Sequence, residues 1–174
     1  MHEVVGDIWD YWLDMHLIAI PVNGFVRRDG RAVMGKGLAK QARERIPGID
    51  LVLGRAIKHG GWYNIYQIAP SIVSFPVKRD GLIYDGDRVV RHMEGRFAVG
   101  DYVPGWALKA ETTIIEDSLR DLRMLYRRLY PPMADRMYKI VIPRVGCGAG
   151  ELDWEMDVKP LCEKHGDWLW VTSL

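Results

Sequence analysis

Cysteine is scarce in this sequence, whose 174 residues contain only Cys147 and Cys162. The two form no CxxC motif and no Cys/His spacing, so the sequence predicts neither a disulfide framework nor a metal site. A reducing, cytoplasmic compartment is the natural environment for such a chain.

An excess of charge and a long apolar run are also lacking. The 24 Lys and Arg residues face 23 Asp and Glu residues, which argues against a dedicated high-affinity DNA-binding domain. No apolar stretch approaches the length of a membrane span, and Met1-His2-Glu3 is not the basic start of a secretory signal. With 48% hydrophobic residues, the chain can build a core. We therefore expect a single domain over residues 1–174, monomeric and not associated with a membrane.

What the sequence does contain is a glycine-dense stretch from Val141 to Trp154. It is typical of the end of a buried strand, a loop with three glycines within five residues, and the first turn of a helix capped by Asp153. Many α/β proteins bind phosphate with this arrangement. A tight strand-to-helix turn without a ligand explains the pattern equally well.

A second glycine-rich loop precedes the helix predicted at 38–46. Gly30 to Lys36 has the GxxxxGK spacing of a nucleotide P-loop, but Gly37 stands where a metal-binding Ser or Thr is required, and no apolar strand leads into the motif. We reject the NTPase interpretation. Two such loops in one small domain favour an anionic ligand between them.

Hydrophobic periodicity predicts a chain in which strands and helices mostly alternate. Strands are expected at 3–8, 17–22, 63–68, 72–77, 138–142 and 168–171, and helices at 38–46, 49–58, 111–130 and 154–165, the third ended by Pro131 and Pro132. The fold class is therefore α/β, with a mixed sheet covered on both faces. Residues 82–108 fit no regular element and are typical of a lid, a binding loop or an added hairpin.

Two predicted strand ends carry side chains that can contact a ligand. Asn23 follows the apolar run 17–22, where it is either a ligand contact or an ordinary Asn-Gly turn. Lys78 and Arg79 follow the run 72–77. On spacing alone they favour a solvated turn, although Arg79 would lower the pKa of a reactive Lys78 amine by repulsion.

Taken in order, several of these motifs resemble the macrodomain, the ADP-ribose-binding fold. They are Gly6-Asp7-Ile8, Val22-Asn23, the loop MGKGLA over 34–39 and the loop PRVGCGAGELDW over 143–154. The nearest subgroup contains terminal ADP-ribose protein glycohydrolase and the DNA ADP-ribosyl glycohydrolase antitoxins. The resemblance implies a three-layer α/β/α macrodomain with a central mixed sheet and an insertion at 82–108. It also implies no cofactor.

The resemblance further implies where ADP-ribose would lie. Asp7 would accept a hydrogen bond from the adenine amino group, the Ile8 N–H would meet a ring nitrogen, and Asn23 would contact the distal ribose. The remaining ligand-binding residues implied are those of the two loops: Gly35, Lys36, Gly37, Pro143, Gly146, Cys147, Gly148, Ala149 and Gly150.

Lys78 matches the catalytic lysine of that subgroup, which favours a reactive amine over the solvated turn. The implied activity is hydrolysis of the ADP-ribosyl bond on a modified protein or DNA. The alternatives are a non-catalytic ADP-ribose reader and a phosphatase acting on ADP-ribose 1″-phosphate. The protein glycohydrolase has Asp where this chain has Gly150, so this sequence looks nearer to the antitoxin branch, which also has Gly there.

For residues 82–108 the sequence leaves two interpretations open. In the first, the segment folds beside the distal-ribose end and helps to select which group attached to ADP-ribose the site accepts. The aromatic residues available for stacking are then Tyr84, Phe97, Tyr102 and Trp106. Alternatively, it is a surface hairpin that only covers an edge of the sheet.

Overall fold

The computed structural model describes residues 1–130 and 138–173. Its strands are β1 (His2–Val5), β2 (Leu17–Asn23), β3 (Gln67–Ala69), β4 (Ile72–Lys78), β5 (Gly81–Ile83), β6 (Tyr102–Pro104), β7 (Ile140–Pro143) and β8 (Leu169–Ser173). Its helices are α1 (Ile8–Leu13), α2 (Gly37–Arg45), α3 (Ile49–Gly60), α4 (Thr112–Leu129) and α5 (Lys159–Glu163).

The main sheet has six strands in the order β1-β8-β7-β2-β4-β3. All neighbours pair in parallel except β3, which is an outermost strand and runs antiparallel to β4. The prediction of an α/β fold with a mixed sheet is confirmed. Because β1, β8, β7, β2 and β4 are parallel, their carboxyl ends meet at one edge of the sheet, and the loops that leave them are neighbours.

Strand β2 is a continuous apolar run because both of its faces are buried. Leu17 and Ala19 point into the core under α4, whereas Ile18 and Ile20 point into the opposite core, against α1, α2 and α3. Since helices cover both faces, the usual polar alternation of a half-exposed strand is absent. All seven residues of β4 are buried for the same reason.

Helix α4 matches its prediction to within a residue at each end. Its buried positions Ile115, Leu119 and Leu122 recur at helical spacing and pack on the sheet, as the sequence predicts. Pro131 and Pro132, which were expected to end the helix, lie outside the described residues.

The predicted first strand at 3–8 is wrong at its carboxyl end. β1 stops at Val5, and α1 begins at Ile8 with Asp7 as its N-cap, where the Asp7 carboxylate accepts a hydrogen bond from the Trp9 N–H at 3.0 Å. Capping satisfies a backbone donor that the first turn of a helix would otherwise leave unpaired. The aromatic residues after Ile8 therefore belong to a helix.

Other boundaries also differ from expectation. The strand expected at 63–68 is reduced to β3, and the strand expected at 138–142 begins at Ile140. The helix expected at 154–165 is a π-helical turn, Trp154–Val158, followed by the short helix α5. A proline at the second position of α5 fits a new helix start there, because proline lacks the N–H that a helix interior needs.

Residues 82–108 form the added hairpin that was one of the three expectations. β5 and β6 pair antiparallel as a separate two-stranded sheet, joined by a segment with a 3₁₀ turn at Arg91–Met93 and followed by another at Gly105–Ala107. Within the described parts of the chain, no helix is long and apolar enough to cross a membrane.

Candidate functional site

A cavity of about 390 Å³ opens at the carboxyl ends of β2, β4 and β7. The loop before α2 forms one wall and the glycine-rich loop after β7 forms another. The lining residues are Pro21, Val22, Asn23, Val33, Gly35, Lys36, Gly37, Leu38, Ala39, Val77, Lys78, His92, Trp106, Pro143, Arg144, Gly146, Gly148, Ala149 and Gly150.

The glycine-rich loop is held by its own backbone hydrogen bonds. The Leu152 N–H donates to the Gly146 carbonyl and the Glu151 N–H donates to the Gly148 carbonyl, each at 3.1 Å. Gly146 has φ +77°, a conformation that glycine adopts without strain. Among the described residues, the N–H groups of Gly148, Ala149 and Gly150 have no protein acceptor, so they are available to an anion.

Gly150 is tightly enclosed within this loop. A Cβ at this position would overlap the Gly146 carbonyl oxygen and lie 2.6 Å from the Ala110 Cβ. In this chain the loop therefore leaves no room for a side chain at position 150, and a carboxylate there would require a different loop conformation.

Cys147 lies beside the cavity and not in its wall. Its N–H donates to the Arg144 carbonyl at 3.3 Å, and its Sγ–H donates to the Val145 carbonyl at 3.4 Å. Burial raises the pKa of the Cys147 thiol to about 11, so the sulfur stays protonated near neutral pH. Of the loop amides expected to bind a ligand, this one is already occupied.

Lys78 is the least exposed cation of the site, with 6% of its surface accessible. Its Nζ donates a hydrogen bond of 2.6 Å to the Ala149 carbonyl oxygen. Burial lowers the pKa of Lys78 to about 8; the negative charge of Glu151 opposes this shift, and the positive charge of Lys36 adds to it. The solvated turn favoured by spacing alone is wrong.

Arg79 is not among the charges that shift the pKa of Lys78, contrary to the spacing-based expectation. Its guanidinium donates two hydrogen bonds of 2.6 Å to the two carboxylate oxygens of Glu111, at the start of α4. This partner raises the pKa of Arg79 and holds its guanidinium at the start of α4.

Asn23 is at once a turn residue and a cavity residue. Its Nδ2 donates to the Val33 carbonyl at 2.9 Å, and its Oδ1 accepts from the Phe25 N–H at 3.0 Å. The side chain therefore ties the end of β2 to the loop before α2 while it faces the cavity. Its role in the turn is confirmed, and its contact with a ligand stays a prediction.

The other residues predicted to bind the ligand divide into two groups. Gly35, Lys36, Gly37 and Pro143 line the cavity. Asp7 and Ile8 do not; they follow β1, which is parallel to the strands at the cavity, and so lie along the same edge of the sheet.

Sequence reasoning missed His92 as a cavity residue. The 82–108 hairpin brings it to the wall, where its Nε2 lies 3.1 Å from the Lys36 Nζ. No spacing pattern marks a lone histidine in an irregular segment. Trp106, from the same segment, also lines the cavity and was noted only as one of four scattered aromatics.

No protein-family model and no curated protein sequence matches this chain. The structure is nevertheless similar to solved ones. The macrodomain of Mycobacterium tuberculosis DarG matches with a TM-score of 0.63 and 21% identity, over 98% of this chain and 95% of that one. A Thermosipho africanus DarTG structure in complex with ADP-ribose matches with a TM-score of 0.63 and 18% identity over 99% of this chain, which spans 41% of that one. A Bacteroides thetaiotaomicron protein of unknown function matches with a TM-score of 0.59 and 13% identity, over 99% of this chain and 97% of that one.

The chain therefore has the macrodomain fold, and the fold class that the motifs implied is confirmed.

Proposed function

We propose that this protein binds ADP-ribose in the cavity between its two glycine-rich loops. The observation that carries the proposal is that Gly148, Ala149 and Gly150 line the cavity with N–H groups that have no acceptor among the described residues, and that Lys36 and Arg144 line the same cavity. Backbone donors and cations around one cavity suit a diphosphate. The Thermosipho africanus structure of the same fold, which contains ADP-ribose, supports this choice of ligand.

The direction of the ligand is the one that the macrodomain resemblance implies, and the strand order agrees with it. The diphosphate lies on the loop at Gly148 to Gly150, and the distal ribose lies near Asn23 and Lys78. Adenine extends past the cavity lining toward Asp7 and Ile8, at the carboxyl end of β1. This direction sets the buried Lys78 amine near the anomeric carbon of the distal ribose.

We further propose that the bound ADP-ribosyl group is removed from a macromolecule, with Lys78 as the catalytic residue. A pKa of about 8 gives Lys78 a substantial neutral fraction near neutral pH, and the rest is protonated. A neutral amine can attack the anomeric carbon, and a protonated amine can donate its proton to the leaving group. In both routes the glycosidic bond breaks and water supplies the hydroxyl of free ADP-ribose.

The binding proposal is tested by isothermal titration calorimetry with free ADP-ribose. Saturable heat with one site per chain supports it. A folded sample that gives no heat at high micromolar protein contradicts it.

The catalytic proposal is tested by incubating the chain with an ADP-ribosylated protein and an ADP-ribosylated oligonucleotide. Release of free ADP-ribose by the unchanged chain but not by Lys78→Ala supports a hydrolase. Adding borohydride during turnover separates the two routes, because reduction traps a lysine adduct that mass spectrometry detects. Tight binding without turnover of either substrate would indicate a non-catalytic ADP-ribose reader. Release of phosphate from ADP-ribose 1″-phosphate, with no activity on either conjugate, would indicate a phosphatase.

A further inference from the structure

We propose that the segment 82–108 is a fixed wall of the ligand cavity, and that His92 and Trp106 determine which attached group the site accepts. The inference rests on the proposed ADP-ribose binding and assigns to this segment the end of the cavity where ADP-ribose is joined to its carrier.

The segment has a core of its own, so its shape does not depend on a ligand. Val90, Val103 and Leu108 are at most 1% exposed and pack with their neighbours, apart from the two cores of the main sheet. Tyr84 and Phe97 pack against this small core and against each other. Two of the four aromatics expected to stack on a ligand therefore have a structural role.

One end of the segment is fixed next to Lys78. The Gly105 N–H donates to the Asp80 carbonyl at 2.6 Å, and a Cβ at Gly105 would overlap the Arg79 carbonyl oxygen. Only glycine allows the two backbones to approach so closely. Trp106 follows directly, so its position relative to Lys78 is set by main-chain contacts.

The middle of the segment is fixed to the glycine-rich loop. The Arg91 N–H donates to both carboxylate oxygens of Glu151, at 2.9 and 3.2 Å. His92 is the next residue, and its imidazole reaches the Lys36 ammonium in the opposite loop. The cavity is thus bounded by both glycine-rich loops and by a third element.

These two side chains suit recognition of a group beyond ADP-ribose itself. Neither belongs to the loops that supply backbone donors for the diphosphate. Trp106 is 39% exposed at the cavity, although large aromatic side chains are usually more buried. His92, held by Lys36, presents a polar group at the same wall.

The test compares the affinity for three probes: free ADP-ribose, an ADP-ribosylated peptide and an ADP-ribosylated single-stranded oligonucleotide. Binding is measured in a Lys78→Ala chain, so that turnover does not consume the probes. The added variants are His92→Ala, Trp106→Ala and Trp106→Phe. Val99→Ala is the control, because Val99 is 76% exposed on the same segment and does not line the cavity.

The preferred conjugate is the one that the Lys78→Ala chain binds more tightly. We expect His92→Ala and Trp106→Ala to weaken its binding at least about tenfold, and to weaken the binding of free ADP-ribose by no more than about twofold. Trp106→Phe should retain most of the affinity, and Val99→Ala all of it. Equal losses for free and conjugated ADP-ribose, no loss, or no preference between the conjugates would overturn the inference while ADP-ribose binding stands. A chain that binds none of the three probes would overturn the proposed function, and with it this inference.

Discussion

The Nζ of Lys78 donates a hydrogen bond of 2.6 Å to the carbonyl oxygen of Ala149, which joins the end of β4 to the glycine-rich loop. The two residues are 71 positions apart in the sequence. This contact holds the amine against the same loop whose residues Gly148 to Gly150 line the cavity, so one loop positions both the proposed catalytic group and the proposed diphosphate site.

Burial of Lys78 should make the stability of the protein depend on pH. The pKa of Lys78 is about 8 when folded, against an ordinary value of 10.5. Between these values the unfolded chain binds more protons than the folded one, so the free energy of unfolding rises with pH. We expect the wild type to gain roughly 2–3 kcal/mol relative to Lys78→Met between pH 8 and pH 10.5.

Urea unfolding of both chains at intervals of one pH unit measures this gain. Other titrating groups cancel in the difference. A difference that stays constant from pH 7 to pH 10.5 would show that the amine is not desolvated.

Gly150 and Gly148 should respond differently to the same substitution. An alanine Cβ at Gly150 overlaps the Gly146 carbonyl oxygen, whereas a Cβ at Gly148 meets nothing within 4 Å. We expect Gly150→Ala to lower the free energy of unfolding by about 1–3 kcal/mol and Gly148→Ala to change it by less than about 0.5 kcal/mol. Equal effects in chemical denaturation would contradict the described loop conformation.

The Arg79–Glu111 pair should contribute more to stability than an exposed pair of the same length. Both of its hydrogen bonds are 2.6 Å, and its side chains are 32% and 21% exposed. The Arg120–Asp117 pair is also 2.6 Å long, but both of its side chains are 66% exposed.

We therefore expect Arg79→Ala to cost about 1–2 kcal/mol of unfolding free energy and Arg120→Ala less than about 0.5 kcal/mol. Arg79→Lys should recover only part of the loss, because lysine lacks the two-pronged geometry. Thermal and urea unfolding of the three variants provide the comparison; a larger loss for Arg120→Ala would count against the described pair.

Glu151 should restrain the segment 82–108 through the Arg91 N–H. Glu151→Ala removes the acceptor, and we expect the Arg91 amide to exchange its hydrogen about 2–10 times faster. Glu151→Gln keeps an acceptor oxygen without the charge, so its Arg91 amide should exchange at a rate between those of the wild type and Glu151→Ala. Native-state hydrogen exchange read by NMR gives the rates, and unchanged exchange in Glu151→Ala would show that the contact does not hold the segment.

The fold was largely predictable because its signals are local and repeated. The apolar run of β2 and the helical spacing of Ile115, Leu119 and Leu122 each report burial directly. The element boundaries at Asp7 and at the second position of α5 were missed because helix capping and a proline at a helix start are decided by one or two residues.

The site was predictable only where a motif marked it. The glycine-rich loops and the end of β4 pointed to one edge of the sheet, and their predicted residues other than Cys147 line one cavity. His92 was not found, because its place depends on how an irregular segment packs. The environment of Lys78 was also missed from spacing alone, since burial by the Ala149 loop is a contact between distant parts of the chain.

Binding of ADP-ribose between the two glycine-rich loops is tested most directly by an NMR titration of the ¹⁵N-labelled chain with ADP-ribose. We expect saturable shifts of the backbone amides of Gly148, Ala149 and Gly150, together with those of Gly35 and Gly37 in the opposite loop. The amide of Gly166, which precedes β8 at the other edge of the sheet, should stay unchanged. Shifts that fail to saturate, or that appear at Gly166 and not at Gly148 to Gly150, would contradict the account.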